Sequence, residues 1–204
     1  MNLEEYISQI VAKEWAMFDQ VQNAGGRASC QNNPREFEIN RRSQLVTWPK
    51  EALESYYYDL DLAARTGRNL LTEKYAHMME STYPTEYAQF ADQLPQPSNG
   101  TMQQINEMVA IHLAWQREAE QQYPNLRAKG RPLTTAEDSP YQTSFETYLR
   151  SEYKTYSATT IALLYDYTLA TKNAGNNLAL ATLAYTMNEY GFPSLEVANK
   201  ALQK

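Results

Sequence analysis

Apolar positions recur along this chain at intervals of three and four residues, and no segment sustains the two-residue alternation of a strand. Ile7, Ile10, Val11, Trp15, Phe18 and Val21 fall on one face of a first helix. A polar loop from Asn23 to Asn33 follows, and Pro34 suits the first turn of a second helix running to about Thr47. Pro49 opens a third helix, which Gly67 ends as a left-handed cap. A fourth extends from Asn69 to Thr82, and Pro84 begins a short fifth. Leu94-Pro95-Gln96-Pro97-Ser98-Asn99-Gly100 reads as a linker. Beyond it the spacing predicts a helix over 101–123 and a loop holding Gly130-Arg131-Pro132. Further helices follow over about 143–155, 158–173, 177–190 and 194–202. The pattern predicts an all-α fold.

The second half echoes the first in residues as well as in plan. Phe37-Glu38-Ile39-Asn40-Arg41-Arg42-Ser43 reappears as Phe145-Glu146-Thr147-Tyr148-Leu149-Arg150-Ser151. In the same ungapped register Thr47/Thr155, Tyr57/Tyr165, Gly67/Gly175, Asn69/Asn177, Leu70/Leu178, Ala76/Ala184 and Met79/Met187 also match. The loops Ala24-Gly25-Gly26-Arg27 and Ala128-Lys129-Gly130-Arg131 correspond with a small indel. The expectation is an internal duplication, residues 1–98 and 99–204, of two roughly five-helix units. They would pack about a pseudo-twofold axis as one compact unit.

Candidate chemistry lies where the copies disagree. Phe145, Tyr148, Leu149, Glu152 and Tyr156 share a mostly apolar helix face, whereas the first copy places Phe37, Asn40, Arg41, Gln44 and Trp48 there. A guanidinium facing a core requires a carboxylate or a bound anion. Glu14, on the apolar stripe one turn from Ile10 and Phe18, is the favoured partner. Three readings stay open: an ion pair that only fixes packing, a ligand site, and a solvent-exposed face. In the fourth helix Arg68, Glu73, Lys74, His77 and Glu80 all become uncharged in the second copy.

Glu73, His77 and Glu80 put two carboxylates and an imidazole on one helix face, as helical di-iron sites do. Such sites want histidines from different helices, and His112 is the only other one, so a solvated face is the simpler reading and no metal ligand is assigned. Cys30 lies near Arg27, which could lower a thiol pKa, but no histidine is close in sequence to act as its base. Gly25-Gly26-Arg27 could offer backbone N–H groups to an anion, without the spacing of a P-loop or dinucleotide fingerprint. The Glu38/Arg42 and Glu146/Arg150 pairs recur in both copies at helical spacing, which favours a structural duty. Ser144 or Thr143 can cap a helix, with Tyr141 and Asp138 offered to a rim between the halves.

Composition narrows the classes. A chain of 204 residues that is 43% hydrophobic and 21% charged is globular and long enough for one sizeable core. A net charge of −6, with no basic run longer than Arg41-Arg42, argues against nucleic acid as partner. No apolar run approaches the roughly 18 residues that span a bilayer, and Met1 to Glu5 lack a secretory n-region. A single cysteine excludes an internal disulfide framework and fits a reducing interior, so the expected location is cytoplasmic. The 16 tyrosines offer hydroxyls to a buried polar site.

Several stretches carry a family resemblance: Glu14-Trp15-x-Met17-Phe18, Gly25-Gly26-Arg27-Ala28-Ser29-Cys30-Gln31, Gly67-Arg68-Asn69-Leu70-Leu71 with Glu73-Lys74-Tyr75-Ala76, Met78-Met79-Glu80-Ser81-Thr82 and Thr143-Ser144-Phe145-Glu146-Thr147-Tyr148-Leu149-Arg150. Over nearly its whole length the chain resembles the bacterial domain-of-unknown-function family four-one-two-five. In that family a basic residue often stands at the position of His77, so this histidine is a departure and weakens the metal reading. The resemblance implies relatives, and with them no activity and no site residues.

The first functional expectation is a protein that binds a small anionic metabolite in a polar pocket built mainly by the first copy. Arg27, Arg41 and Arg68 would hold the anion, with Gln44 beside them and Tyr56, Tyr75 and Tyr141 as walls. If it is an enzyme, Glu14 and Glu73 are the acid/base candidates. The second is a non-enzymatic interaction or regulatory module, and the third a metal-dependent helical oxygenase. No cofactor is assigned, and a homo-oligomer is compatible with the sequence.

Overall fold

The computed structural model describes residues 1–22, 26–128 and 130–203. Asn23, Ala24, Gly25 and Lys129, which carry part of the loop correspondence and of the glycine-rich anion reading, lie outside them. Among the described residues the regular structure is helical, with one isolated antiparallel bridge between Ser139 and Gln142.

The first half contains α1 (Leu3–Asp19), α2 (Pro34–Leu45), α3 (Lys50–Arg65), α4 (Leu70–Thr82) and the single turn α5 (Pro84–Tyr87). The second contains α6 (Asn99–Gln122), α7 (Pro124–Arg127), α8 (Phe145–Tyr153), α9 (Ala158–Asn173), α10 (Leu178–Glu189) and α11 (Leu195–Ala201). Local chemistry sets these limits. The Asn2 side chain accepts from the Glu5 N–H at 2.9 Å, while the Glu5 carboxylate accepts from the Asn2 N–H at 2.8 Å, a capping box that starts α1. Pro34 stands in the first turn of α2. After α3, Gly67 turns the chain at φ 72° and lets the Arg68 N–H reach the Ala63 carbonyl at 2.8 Å.

Two boundaries differ from the sequence reading. The linker is shorter than expected, because Ser98 caps α6 by accepting from the Thr101 N–H at 3.2 Å and draws Asn99 and Gly100 into the helix. α8 begins at Phe145, because Ser144 is its cap, accepting from the Thr147 N–H. The second half also carries one helix more than the expected five, since Pro124 nucleates α7.

α1 packs on α2, α3 and α4, and α6 on α8, α9 and α10. The halves then exchange contacts: α4 lies on α8, α10 on α2, and α3 on α9. Ile7, Ile10, Leu45, Leu53 and Leu60 from the first half meet Ile105, Met108 and Ile161 from the second in one buried cluster. Each such side chain contributes about 1.5–3 kcal/mol on burial.

Two asparagines tie the bundle at equivalent places. Asn69 caps α4 through the N–H groups of Leu71 and Thr72, and its Nδ2 donates to the Met17 carbonyl at 2.8 Å. Asn177 caps α10 through Leu180, and its Nδ2 donates to the Trp115 carbonyl at 3.2 Å.

Candidate functional site

Four helices bring charged side chains into the centre of the bundle. Arg41 of α2 is 4% exposed and Glu14 of α1 is 1% exposed. Arg41 donates from Nε to Glu14 Oε2 at 2.6 Å and from Nη2 to Glu14 Oε1 at 2.7 Å, a forked pair. Its Nη1 donates to Gln44 Oε1 at 2.6 Å and to Glu152 Oε1 of α8 at 2.9 Å. The Tyr56 hydroxyl of α3 donates to Glu14 Oε1, and Tyr156 to Glu152 Oε1, both at 2.6 Å. Lys74 of α4 donates to the Tyr148 hydroxyl at 2.8 Å and lies 3.5 Å from Glu152 Oε2. Two carboxylates and two cations thus form a buried, alternating chain.

The chain holds its own charge state. Burial pushes the Glu152 carboxyl up, but Arg41 and Lys74 more than reverse that and bring its pKa to about 2. Burial works against the Lys74 ammonium, yet Tyr148 and Glu152 hold its pKa above the ordinary lysine value. Burial and the neighbouring carboxylates raise Tyr56 and Tyr156 well above the normal phenol range, so both remain donors.

A cavity of about 430 Å³ adjoins this chain. Phe37, Trp48, Tyr75, Phe145, Tyr148 and Tyr153 supply aromatic wall, and Arg41, Gln44, Lys74 and Glu152 border it from the charged cluster. His112, Gln116, Thr168 and Thr182 add uncharged polar groups. Burial lowers the His112 pKa to about 4, which leaves a neutral imidazole, and its Nε2 lies 3.4 Å from the Tyr153 hydroxyl. Arg131 also borders the cavity, its guanidinium 4.7 Å over the Tyr148 ring.

Donor counting leaves one N–H on each of the two cations. An arginine has five N–H donors. In Arg41 the contacts to Glu14, Gln44 and Glu152 leave one. Of the three N–H donors of Lys74, Tyr148 takes one and Glu152 a second at long range; the ammonium also lies 5.3 Å from the Tyr75 ring centroid and borders the cavity.

Residues 4–200 match the family described as Protein of unknown function (DUF4125). The chain belongs to that family. No curated protein and no solved structure matches it. Among the described residues no helix is long and apolar enough to cross a membrane.

The fold gathers some of the sequence candidates and disperses others. Arg41, Gln44 and Tyr75 border the cavity, while Glu14 and Tyr56 stand behind it as partners of Arg41 and of each other. Arg68 and Glu73 do not join them. They pair with each other at 2.7 and 2.8 Å, and Arg68 borders a separate cleft of about 300 Å³ beside Asp59, Pro97 and Lys154. Arg27 is exposed and pairs with Asp19 while donating to Asn32 Oδ1 at 2.9 Å. Tyr141 is 98% exposed and forms no wall. Its neighbour Asp138 instead accepts from the Ser144 N–H and the Ser81 hydroxyl at 2.5 Å each, locking the loop onto α8 and α4.

The face of Glu73, His77 and Glu80 is solvated only in part, as expected at exposed Glu80 and half-buried Glu73 but not at His77. His77 is 1% exposed, with neither ring nitrogen hydrogen-bonded. Burial, then the Lys154 charge, lowers its pKa to about 4. Glu73 turns to Arg68 and Glu80 to Lys154, so the three do not converge. Among the described residues no three His, Cys, Asp or Glu side chains gather to hold a metal ion. Arg150 pairs with Glu146 at 2.6 Å as the spacing suggests, but Arg42 bonds to Glu4 and Ser8 of α1 rather than to Glu38. Cys30 is exposed and borders the cavity from a 3₁₀ turn, Ser29–Asn32.

Sequence reasoning did not assign Lys74, Tyr148, Glu152 or His112 to the site. The signal for Lys74 was present. Leu70, Leu71, Lys74, His77 and Met78 keep the helical stripe spacing, and all five are buried.

Proposed function

We propose that this protein binds a small anionic molecule with a flat apolar body in the central cavity, and that Lys74 receives the anionic group. One observation carries this reading: a buried lysine with an unfilled N–H opens onto an aromatic-walled cavity of about 430 Å³. That volume lies within the range of small-molecule sites. In this reading Arg41 is scaffold. It neutralises Glu14 and Glu152 and lets a polar cluster sit in the core without an unpaired charge. If the site performs proton transfer, His112 is better placed than Glu14 or Glu73, which are held by Arg41 and Arg68.

The two halves fit a duplication with one diverged site. The α4–α8 and α10–α2 contacts are reciprocal, and Asn69 and Asn177 make matching tethers. The cavity is bordered by both members of the aligned pairs Phe37/Phe145, Arg41/Leu149, Gln44/Glu152 and Lys74/Thr182. A site where such copies meet would be expected to span the approximate axis. The first copy carries both cations of the cluster, and the second contributes Glu152 with Tyr148 and Tyr156.

A thermal-shift series tests the reading with acetate, benzoate, 1-naphthoate, inorganic phosphate and phenyl phosphate on the wild type and on Thr182→Trp, which fills the cavity. Saturable stabilisation by an anion with a ring, lost in Thr182→Trp, is expected. A flat response to every anion, or the same response in the filled variant, would overturn it.

A further inference from the structure

Resting on the reading of the cavity as an anion-binding site, we infer that its occupant is an aromatic monocarboxylate, gripped jointly by the Tyr148 hydroxyl and the Lys74 ammonium.

The direction of one hydrogen bond starts the argument. An ammonium has no lone pair to offer, so in the 2.8 Å contact Lys74 donates and the Tyr148 oxygen accepts. The Tyr148 proton is then left over. Among the described residues no acceptor takes it, and Tyr148 borders the cavity. The phenol O–H and the spare Lys74 N–H are therefore adjacent donors facing one space. Lys74 lies 4.4 Å from the centroid of the Tyr148 ring and Arg131 lies 4.7 Å from it.

Charge then selects the class of anion. Within the buried chain Glu14 and Glu152 are balanced by Arg41 and Lys74. Glu152 lies 3.5 Å from Lys74, so the ligand's anionic group must sit near a carboxylate that is already ionised. Arg131, at the Tyr148 ring, and Glu36 add one exposed charge of each sign to the cavity border. The lining thus carries no surplus of positive charge, and a single negative charge on the Lys74 and Tyr148 donors costs less than two. A phosphate dianion would be repelled more strongly by Glu152.

The aligned positions complete the case. In the same register Thr182 stands for Lys74 and Asn40 for Tyr148, and both border the cavity without charge. The donor pair exists on one side of the duplication only, so a dicarboxylate would leave its second charge unmet. The rings of Phe37, Trp48 and Phe145 offer a flat apolar body its contacts.

Isothermal titration calorimetry of the full chain at pH 7 tests this with benzoate, 1-naphthoate, terephthalate, phenyl phosphate and benzamide. Saturable one-to-one binding of benzoate or 1-naphthoate is expected, at least tenfold tighter than the other three. Tyr148→Phe keeps the ring and removes only the hydroxyl, and wild-type far-UV circular dichroism with a cooperative, if lower, melting transition verifies its fold. It should weaken the aryl carboxylates about ten- to a hundredfold, the loss of one hydrogen bond to a charged group, and leave benzamide unaffected. Tyr148→Phe binding the carboxylates as wild type does would overturn the joint grip while leaving the cavity as an anion site. Preference for phenyl phosphate or terephthalate would overturn the ligand class alone. No saturable binding of any anion would overturn both this inference and the reading beneath it.

Discussion

Replacing Arg41 with leucine, the residue at the aligned position 149, removes one guanidinium and leaves two buried carboxylates to manage without it. Glu14 would keep only Tyr56, while Glu152 would keep Tyr156 and the long contact to Lys74. Gln44 also loses its 2.6 Å partner. Removing one member of a buried ion pair typically costs about 3–5 kcal/mol, and that is the loss expected here. Adding Glu14→Gln removes one orphaned charge and keeps an acceptor for Tyr56, so the double variant should regain about 2 kcal/mol of it. The loss also depends on pH. Glu152 is held to about 2 in the folded protein, below its unfolded value near 4.3, so its contribution is full above about pH 4.5 and fades as pH falls toward 2. Arg41 is the chief attractive cause of that depression, so the deficit of Arg41→Leu should be largest at pH 7 and smaller at pH 4. Urea unfolding followed by far-UV circular dichroism at both values measures it. A loss under 1 kcal/mol, an equal deficit at both pH values, or a double variant no better than the single would refute the reasoning.

Other expectations follow from the same geometry. His77 and His112 both have pKa values lowered to about 4, so the unfolded chain takes up protons first as pH drops below 6.5. Urea midpoints should therefore fall between pH 7 and pH 5, by at most about 2 kcal/mol per histidine, and His77→Leu should flatten part of that slope. Asn69→Ala loses the α4 cap and the tether to α1, and should cost about 1–2 kcal/mol by the same assay. Gly67→Ala meets no steric neighbour but is forced to φ 72°, so a loss of about 1 kcal/mol, visible as a lower melting temperature, is expected from backbone strain alone.

The sequence revealed the helices because Pro34, Gly67, Asn69, Pro84 and their later counterparts act locally, within a turn of where they stand. It revealed the Glu14–Arg41 pair because a charge on an apolar stripe must meet an opposite charge. Lys74 was harder. A helical wheel tells which residues share a face, but α8 of the other half decides which face of α4 is covered. Arg27 and Arg68 found carboxylates within eight residues, Asp19 and Glu73, and such short-range capture removed them from the cavity. Tyr141 sits at the exposed tip of a loop whose path is set by Asp138, a contact no periodicity announces.

The most direct measurement is a crystal structure of the protein with 4-bromobenzoate, located by the anomalous signal of bromine. The account predicts one ligand in the central cavity, its carboxylate about 3 Å from both Tyr148 Oη and Lys74 Nζ, and its ring among Phe37, Trp48 and Phe145. Bromine found elsewhere, or an empty cavity at saturating ligand, would contradict it.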